Sequence, residues 1–311
     1  EFQIQHTDIA NPPTMIEALH QVIKVWNDKP RVAVFASSSS SSELAAVLLP
    51  SLHRHLRWLE KSQAGKVEGS YRWRGTEANK PDFTFASGLD DAPRGVYHTL
   101  ADRHVDLLAW ILHSHAAISD FHNTTSLSLN PTTPTTTTTT SSSSSGPIFQ
   151  TPTAVLRRSL EDHWSGTFFC DIAVAKWPSQ KEIEAMGRDP RRLEERVELS
   201  CHEGYVGLLV FALGALDAED SRISAILDAM EDPKRLWSPF GIRSLSKSDP
   251  LFRTKDDYWR GAIWINVNFL LLRQLKVVAS SPSAPPHTAT RAAALYDKLR
   301  AALSLNLVKQ W

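Results

Sequence analysis

This sequence predicts an all-α fold of paired helices, and three observations carry the prediction. Apolar residues recur at helical spacing in eight stretches, alternating strand patterns are scarce, and 311 residues with 42% hydrophobic content can bury a large core.

The elements follow in order along the chain. Met15, Leu19, Val22 and Trp26 repeat on one face after Pro12-Pro13, which make a natural helix start. Leu44, Val47, Leu48, Leu52, Leu56 and Leu59 mark a second helix, with Pro50 a candidate kink. Leu100, Val105, Leu107, Leu108, Ile111 and Leu112 place a third over 96–118. Further helices are expected over 152–163, 203–216, 219–231, 257–276 and 288–309. Two segments break the pattern: six serines at 37–42, and a Thr/Ser tract over 124–146. Neither can bury apolar surface, so both read as solvated loops, the second a disordered insertion within a single domain over 1–311.

Composition excludes several classes. Lys+Arg and Asp+Glu are both 34, so nothing in the charge balance draws the chain to nucleic acid or an acidic membrane. Two cysteines, Cys170 and Cys201, rule out a disulfide scaffold or a multi-cysteine zinc module and leave room for one disulfide. Leu208–Leu216 is too short to span a bilayer, and no secretory signal opens the chain. The absence of Gly-x-Gly-x-x-Gly and Gly-x-Ser-x-Gly removes nucleotide-binding and serine-hydrolase readings, and no His-Glu-x-x-His spacing announces a metal.

Acids, arginines and aromatics crowd into three motifs: Ser87–Arg94, Asp102–Trp110 and Tyr258–Trp264. A sugar-cleaving site needs one acid to protonate the glycosidic oxygen, a second carboxylate to activate water, and rings to stack on the pyranose. Ten Trp favour such a site. Gly88 lets backbone approach a ligand. Adjacent Asp90 and Asp91 cannot face the same way. One can face a cleft while the other caps a helix or pairs with Arg94, or the pair can be a plain helix cap with a salt bridge. Asp102 and Asp106, four apart, share one face of the third helix, either lining a site or as a solvated face beside Arg103. From 237 to 268, Trp237, Phe240, Tyr258, Trp259, Arg260 and Trp264 interleave with amides and charges, as in a lined cleft; Trp264 also suits a core. Asn123-Thr124-Thr125 is a weak glycosylation sequon.

Taken together, these motifs resemble glycoside hydrolase family 63, the family of processing α-glucosidases. The residues that carry the resemblance include Asn11-Pro12-Pro13-Thr14, Tyr71-Arg72-Trp73-Arg74-Gly75, Ser87–Arg94, Asp102–Trp110, Cys201–Gly207, Ser244–Pro250, Tyr258–Trp264 and Lys309-Gln310-Trp311. The resemblance implies an (α/α)6 barrel of six helical hairpins, and removal, with inversion and without metal or other cofactor, of the terminal α-1,2-linked glucose from the N-glycan precursor. The partner would be glucosylated high-mannose N-glycan on nascent glycoproteins in the endoplasmic reticulum lumen. No direct membrane contact is expected of this segment, and any membrane anchor would lie outside it. Asp90 would be the general acid. Gly88, Tyr258, Trp259 and Trp264 would line the glucose subsite, with Asp91, Arg94, Asp102, Asp106 and Arg260 as further substrate-binding candidates.

The chain departs from the family pattern at Asp102, where Glu is usual, and at Ala92 and Ala262, where Tyr and Pro are usual. The family's general base belongs to a motif that follows Lys-Gln-Trp, and eight helices fall short of the twelve of a closed barrel. The expectation is therefore an incomplete barrel that hydrolyses little by itself. The alternatives are a non-catalytic carbohydrate-binding remnant and a helical structural module.

Overall fold

The computed structural model describes residues 8–28, 41–74, 84–128, 149–186, 190–254 and 257–310. Among them run nine α-helices: α1 Thr14–Asp28, α2 Ser41–Ser62, α3 Val105–Ser128, α4 Thr153–Glu161, α5 Gln180–Met186, α6 Tyr205–Ala212, α7 Arg222–Glu231, α8 Ile265–Ser280 and α9 Pro286–Gln310. Two small antiparallel ribbons interrupt them. Strands β1 (Asp171–Ala173) and β2 (Glu198–Ser200) pair with Asp171 opposite Ser200, and β3 (Trp237–Ser238) pairs with β4 (Gly241–Ile242).

The fold follows from which helices are apolar all round. Every residue of α6 is buried, and α3 is buried from Val105 through His115, so both must be surrounded. The amphipathic α1 and α2 pack on α3, α6 packs on α3 and α8, and α9 lies along α8. Leu107, Leu108, Ile111, Phe211, Ile226, Leu271 and Leu275, all at 1% exposure or less, form the middle of one continuous core.

Several sequence expectations need correction. The third helix begins at Val105, not near 96, because residues 96–104 pair with β1 and its extension. Tyr97 bridges Val174 and Arg103 bridges Ile172, and Arg103 donates to the Ile172 carbonyl at 2.8 Å. Asp102 therefore precedes the helix and does not share a helical face with Asp106. The 257–276 helix begins at Ile265, which leaves Tyr258–Trp264 in a loop. Gly261, at φ +140°, takes a backbone form that only glycine adopts readily. Ser41 and Ser42 belong to α2 and residues 124–128 to α3; residues 37–40 and 129–146 of the two expected loops lie outside the described residues. α5 and both ribbons carry no strong periodicity and were not expected. Cys170 and Cys201 form a disulfide across the ends of the β1–β2 ribbon. Among the described residues no helix is long and apolar enough to cross a membrane.

Candidate active site

The loop that carries Asp90 is fixed at both ends. A 3-10 turn over Phe85–Ser87 ends at Gly88, whose φ of 71° reverses the chain. Ser87 Oγ donates to the Thr84 carbonyl and accepts from Leu89 N, while Thr84 N donates to the Asp90 carbonyl at 2.8 Å. Leu89 and Ala92 are buried anchors, so the chain between them is pinned.

Within that loop the two adjacent acids part company. Asp91, 1% exposed, turns inward and accepts from the main-chain N–H groups of Trp259 at 2.5 Å and Tyr258 at 3.3 Å. Arg260 Nε donates to the Asp91 carbonyl at 2.8 Å and lies 3.6 Å from its carboxylate. Arg260 also donates to Thr254 Oγ1 at 3.0 Å. Asp91 thus pairs with Arg260 rather than Arg94 and ties the acid loop to the aromatic loop 168 residues away. Asp90 is half-buried, and among the described residues its carboxylate has no ion-pair partner. Burial first, and then the charge of Asp91, raise its pKa above the ordinary carboxylate value, while a hydrogen bond from its own main-chain N–H pulls it slightly down. A carboxyl that keeps its proton to higher pH is suited to be an acid catalyst.

The aromatic wall stands beside this clamp. Trp259 and Trp264 stack with centroids 4.2 Å apart and planes 15° apart, and Tyr258 meets Trp264 edge-on at 4.6 Å. Trp259 is 5% exposed and Tyr258 49%, with Trp264 between them, so the three rings step from core to solvent. Trp264 is held by its Nε1 donating to the Tyr258 carbonyl at 2.9 Å and its main-chain N–H to Tyr205 Oη at 3.2 Å. Asn268, fully buried, completes the support by donating to Tyr205 Oη, the Ile242 carbonyl and the Trp264 carbonyl.

Arg94 and Asp106 are buried beneath this loop. Arg94 grips Asp106 with two bonds, at 3.0 and 2.6 Å, and Asp171 at 2.7 Å. Trp73 Nε1 donates to both oxygens of Asp106 at 3.1 Å, and Val105 N donates to Asp171 Oδ1 at 2.8 Å, which caps α3. Burial alone would lower the Arg94 pKa, but its two carboxylates outweigh it and hold the guanidinium charged. Burial, opposed by Arg94 and reinforced by Asp106, pushes Asp171 up to about 6. With every member under 6% exposure, Arg94, Asp106 and Asp171 lock α3, β1 and the acid loop together. Asp102, 1% exposed, accepts from Thr99 Oγ1 at 2.8 Å and lies 3.3 Å from His98 Nδ1.

His98, Asp102 and His104 come close enough to suggest a cation site. The hydrogen bonds argue against one: His104 Nδ1 accepts from Trp73 N–H at 2.8 Å, so the proton of the neutral ring sits on Nε2 and no lone pair is left there. A cavity of about 380 Å³ adjoins the loop, lined by Arg94, His98, Trp177, His202 and Arg260 among others. Asp90, Tyr258 and Trp264 do not line it.

Sequence reasoning singled out Gly88, Asp90, Asp91, Tyr258, Trp259, Arg260 and Trp264, and the fold brings these into one neighbourhood through the Asp91 clamp. It missed Asp171 and Tyr205, and took Asn268 only as one of the amides interleaved in the 237–268 stretch. Asp171 stands alone in sequence with nothing to mark it, whereas the Tyr205 and Asn268 positions lie inside motifs whose polar members could have been asked for partners.

The scaffold is one of paired helices, and the Asp91 clamp joins the acid loop to the stepped aromatic wall. Comparison with known proteins shows the family. The family described as Glycosyl hydrolase family 63 C-terminal domain matches residues 1–311, and the chain belongs to that family. It is 31% identical over 349 aligned positions to the probable mannosyl-oligosaccharide glucosidase of Schizosaccharomyces pombe, and 29% identical over 359 to the mannosyl-oligosaccharide glucosidase of Saccharomyces cerevisiae. Each alignment spans 100% of this chain and 38% of the relative. Among solved structures, the family 63 mannosylglycerate hydrolase of Thermus thermophilus, in complex with glucose, superposes with a TM-score of 0.56 at 16% identity. That match covers 94% of this chain and 68% of the other, and it shows a shared (α/α)6-type barrel fold.

Proposed function

We propose that this chain forms part of an inverting α-glucosidase that removes the terminal α-1,2-linked glucose from the glucosylated N-glycan precursor, with Asp90 as general acid. The observation that carries the reading is the state of Asp90. It is half-buried, has no ion-pair partner among the described residues and is raised in pKa, while its neighbour Asp91 fastens it to the Tyr258–Trp264 loop.

The chemistry follows from those positions. The glucose ring stacks on Tyr258 and Trp264, whose outer faces reach solvent, and Trp259 backs them from within. Asp90 gives its proton to the glycosidic oxygen as the bond to the anomeric carbon lengthens. A second carboxylate draws a proton from water, which adds to the opposite face of the sugar, and in inverting enzymes the two carboxyls stand about 6.5–9.5 Å apart to admit that water. Gly88, with only Pro12 Cγ within 4 Å of where a side chain would begin, leaves room for the sugar near Asp90.

The setting is the endoplasmic reticulum lumen. Support comes from the names of the relatives and from the Cys170–Cys201 disulfide, which persists in an oxidising compartment. The test is the anomeric form of the first glucose released by the full-length protein from a glucosylated oligosaccharide, followed by NMR. β-Glucose appearing first supports the reading. α-Glucose would overturn the inverting mechanism, and saturable binding without release would leave a carbohydrate-binding remnant.

A further inference from the structure

Three side chains between α1, α3 and α8 are arranged in a way that the glucosidase reading does not use. Glu17 and His20, three residues apart on α1, converge on His113 of α3. All three are buried, at 7%, 4% and 6% exposure. One atom of each, Glu17 Oε2, His20 Nδ1 and His113 Nε2, is buried without a hydrogen bond. One ligand atom from each of the three residues lies within 4.8 Å of the other two.

The partners of the other ring nitrogens fix where the protons are. His113 Nδ1 lies 2.9 Å from the Leu213 carbonyl, which can only accept, so Nδ1 carries the hydrogen. His20 Nε2 lies 2.8 Å from the Asp120 carboxylate, which likewise accepts. In the neutral rings the lone pairs therefore sit on His113 Nε2, which faces Glu17 Oε2, and on His20 Nδ1, which is buried without a partner. His113 Nε2 and Glu17 Oε2 are 2.6 Å apart, a contact that a shared metal ion or a proton on the ring makes favourable.

We propose that Glu17, His20 and His113 form a binding site for a late first-row divalent cation such as Zn²⁺. Ligand atoms sharing a tetrahedral ion at about 2.0–2.2 Å stand roughly 3.4 Å apart, and two imidazoles on one ion have centroids about 5 Å apart. The His20 and His113 centroids are 5.7 Å apart, close to that spacing, so small side-chain adjustments complete the triangle. A carbonyl behind one imidazole and a carboxylate behind the other are the partners that orient metal-bound histidines. Two imidazoles and one carboxylate suit zinc and its neighbours and not the oxygen-seeking Ca²⁺ or Mg²⁺. Arg273 takes the remaining oxygen of Glu17, and Lys24 lies 3.7 Å from Asp120; both cations oppose a dication and so set its affinity. The His98–Asp102–His104 group differs in the decisive respect, since His104 has no free lone pair. The ion would fasten α1 to α3 and takes no part in glycoside cleavage, so the site stands independently of the catalytic reading.

The experiment titrates Zn²⁺, and separately Co²⁺, into the untagged full chain after chelator treatment. The proposal expects one equivalent bound here, tetrahedral Co²⁺ absorption bands, and a zinc-edge X-ray absorption spectrum showing two imidazole ligands and one oxygen. His20→Gln and His113→Gln should each weaken binding at least tenfold, and Asp120→Asn about 10–100-fold, as for other partners of metal-bound histidines. Absence of stoichiometric binding, or binding unchanged in both histidine variants, overturns it. Should a variant fail to fold, the absorption spectrum of the unaltered protein still decides: a ligand set without two imidazoles means that the triad is a buried ion pair only.

Discussion

Asp91→Asn isolates the clamp on which the site depends. The carboxylate accepts from two main-chain N–H groups and sits beside the buried Arg260. Hydrogen bonds to a charged group contribute roughly 1.5–3 kcal/mol each, and leaving a buried partner charge uncompensated costs about 3–5 kcal/mol. These contributions overlap, and the amide keeps its shape and one acceptor, so the expected loss is about 2–4 kcal/mol of stability. A second effect follows at Asp90. The charge of Asp91 is the lesser of the two causes raising the Asp90 pKa, so its removal lets that pKa fall part of the way while burial holds the rest. Urea unfolding reads the first effect. The pH dependence of kcat/KM on a glucosylated oligosaccharide reads the second, as a basic limb displaced to lower pH. Unchanged stability together with an unmoved limb would refute the reasoning, because neither the clamp nor the charge would then matter.

Three further outcomes are expected. Cys201→Ser opens the disulfide that joins positions 31 apart and should cost roughly 3–4 kcal/mol on loop-closure entropy, read by thermal unfolding without reductant. Arg94→Leu strands Asp106 and Asp171 without a counter-charge and should destabilise by about 3–5 kcal/mol, most of it recovered when both acids are also replaced by Leu. Acid should weaken the fold: His113 and His163 are lowered by burial to about 4, so the unfolded chain binds more protons between about 6.5 and 4. Stability then falls with pH across that window, by up to about 3 kcal/mol for each histidine. Asp171, raised to about 6, acts in the opposite direction below that pH and only partly offsets the two histidines, so a melting temperature that rises from pH 6.5 to pH 4 would contradict the assignment.

The helical scaffold was legible because α1, α2, α7 and α9 carry their periodicity in adjacent residues. What was not legible depends on distant partners. α3 starts late because Arg103 bridges Ile172, and no local signal reveals a strand 69 positions on. Asp90 and Asp91 are chemically identical and adjacent. Only the N–H groups of Tyr258 and Trp259 decide which acid turns in. The Arg94 network was not legible either, because one of its two carboxylates, Asp171, stands 77 residues away. The Glu17–His20 spacing on α1 was overlooked because its third member, His113, belongs to another helix.

The most direct measurement concerns proton donation by Asp90. Asp90→Asn, assayed in the full-length protein, should slow hydrolysis of a glucosylated oligosaccharide by about 10²–10⁴-fold. Hydrolysis of α-glucosyl fluoride, whose leaving group needs no proton, should remain near the unaltered rate. Equal losses on both substrates, or no loss on the oligosaccharide, would contradict Asp90 as the general acid.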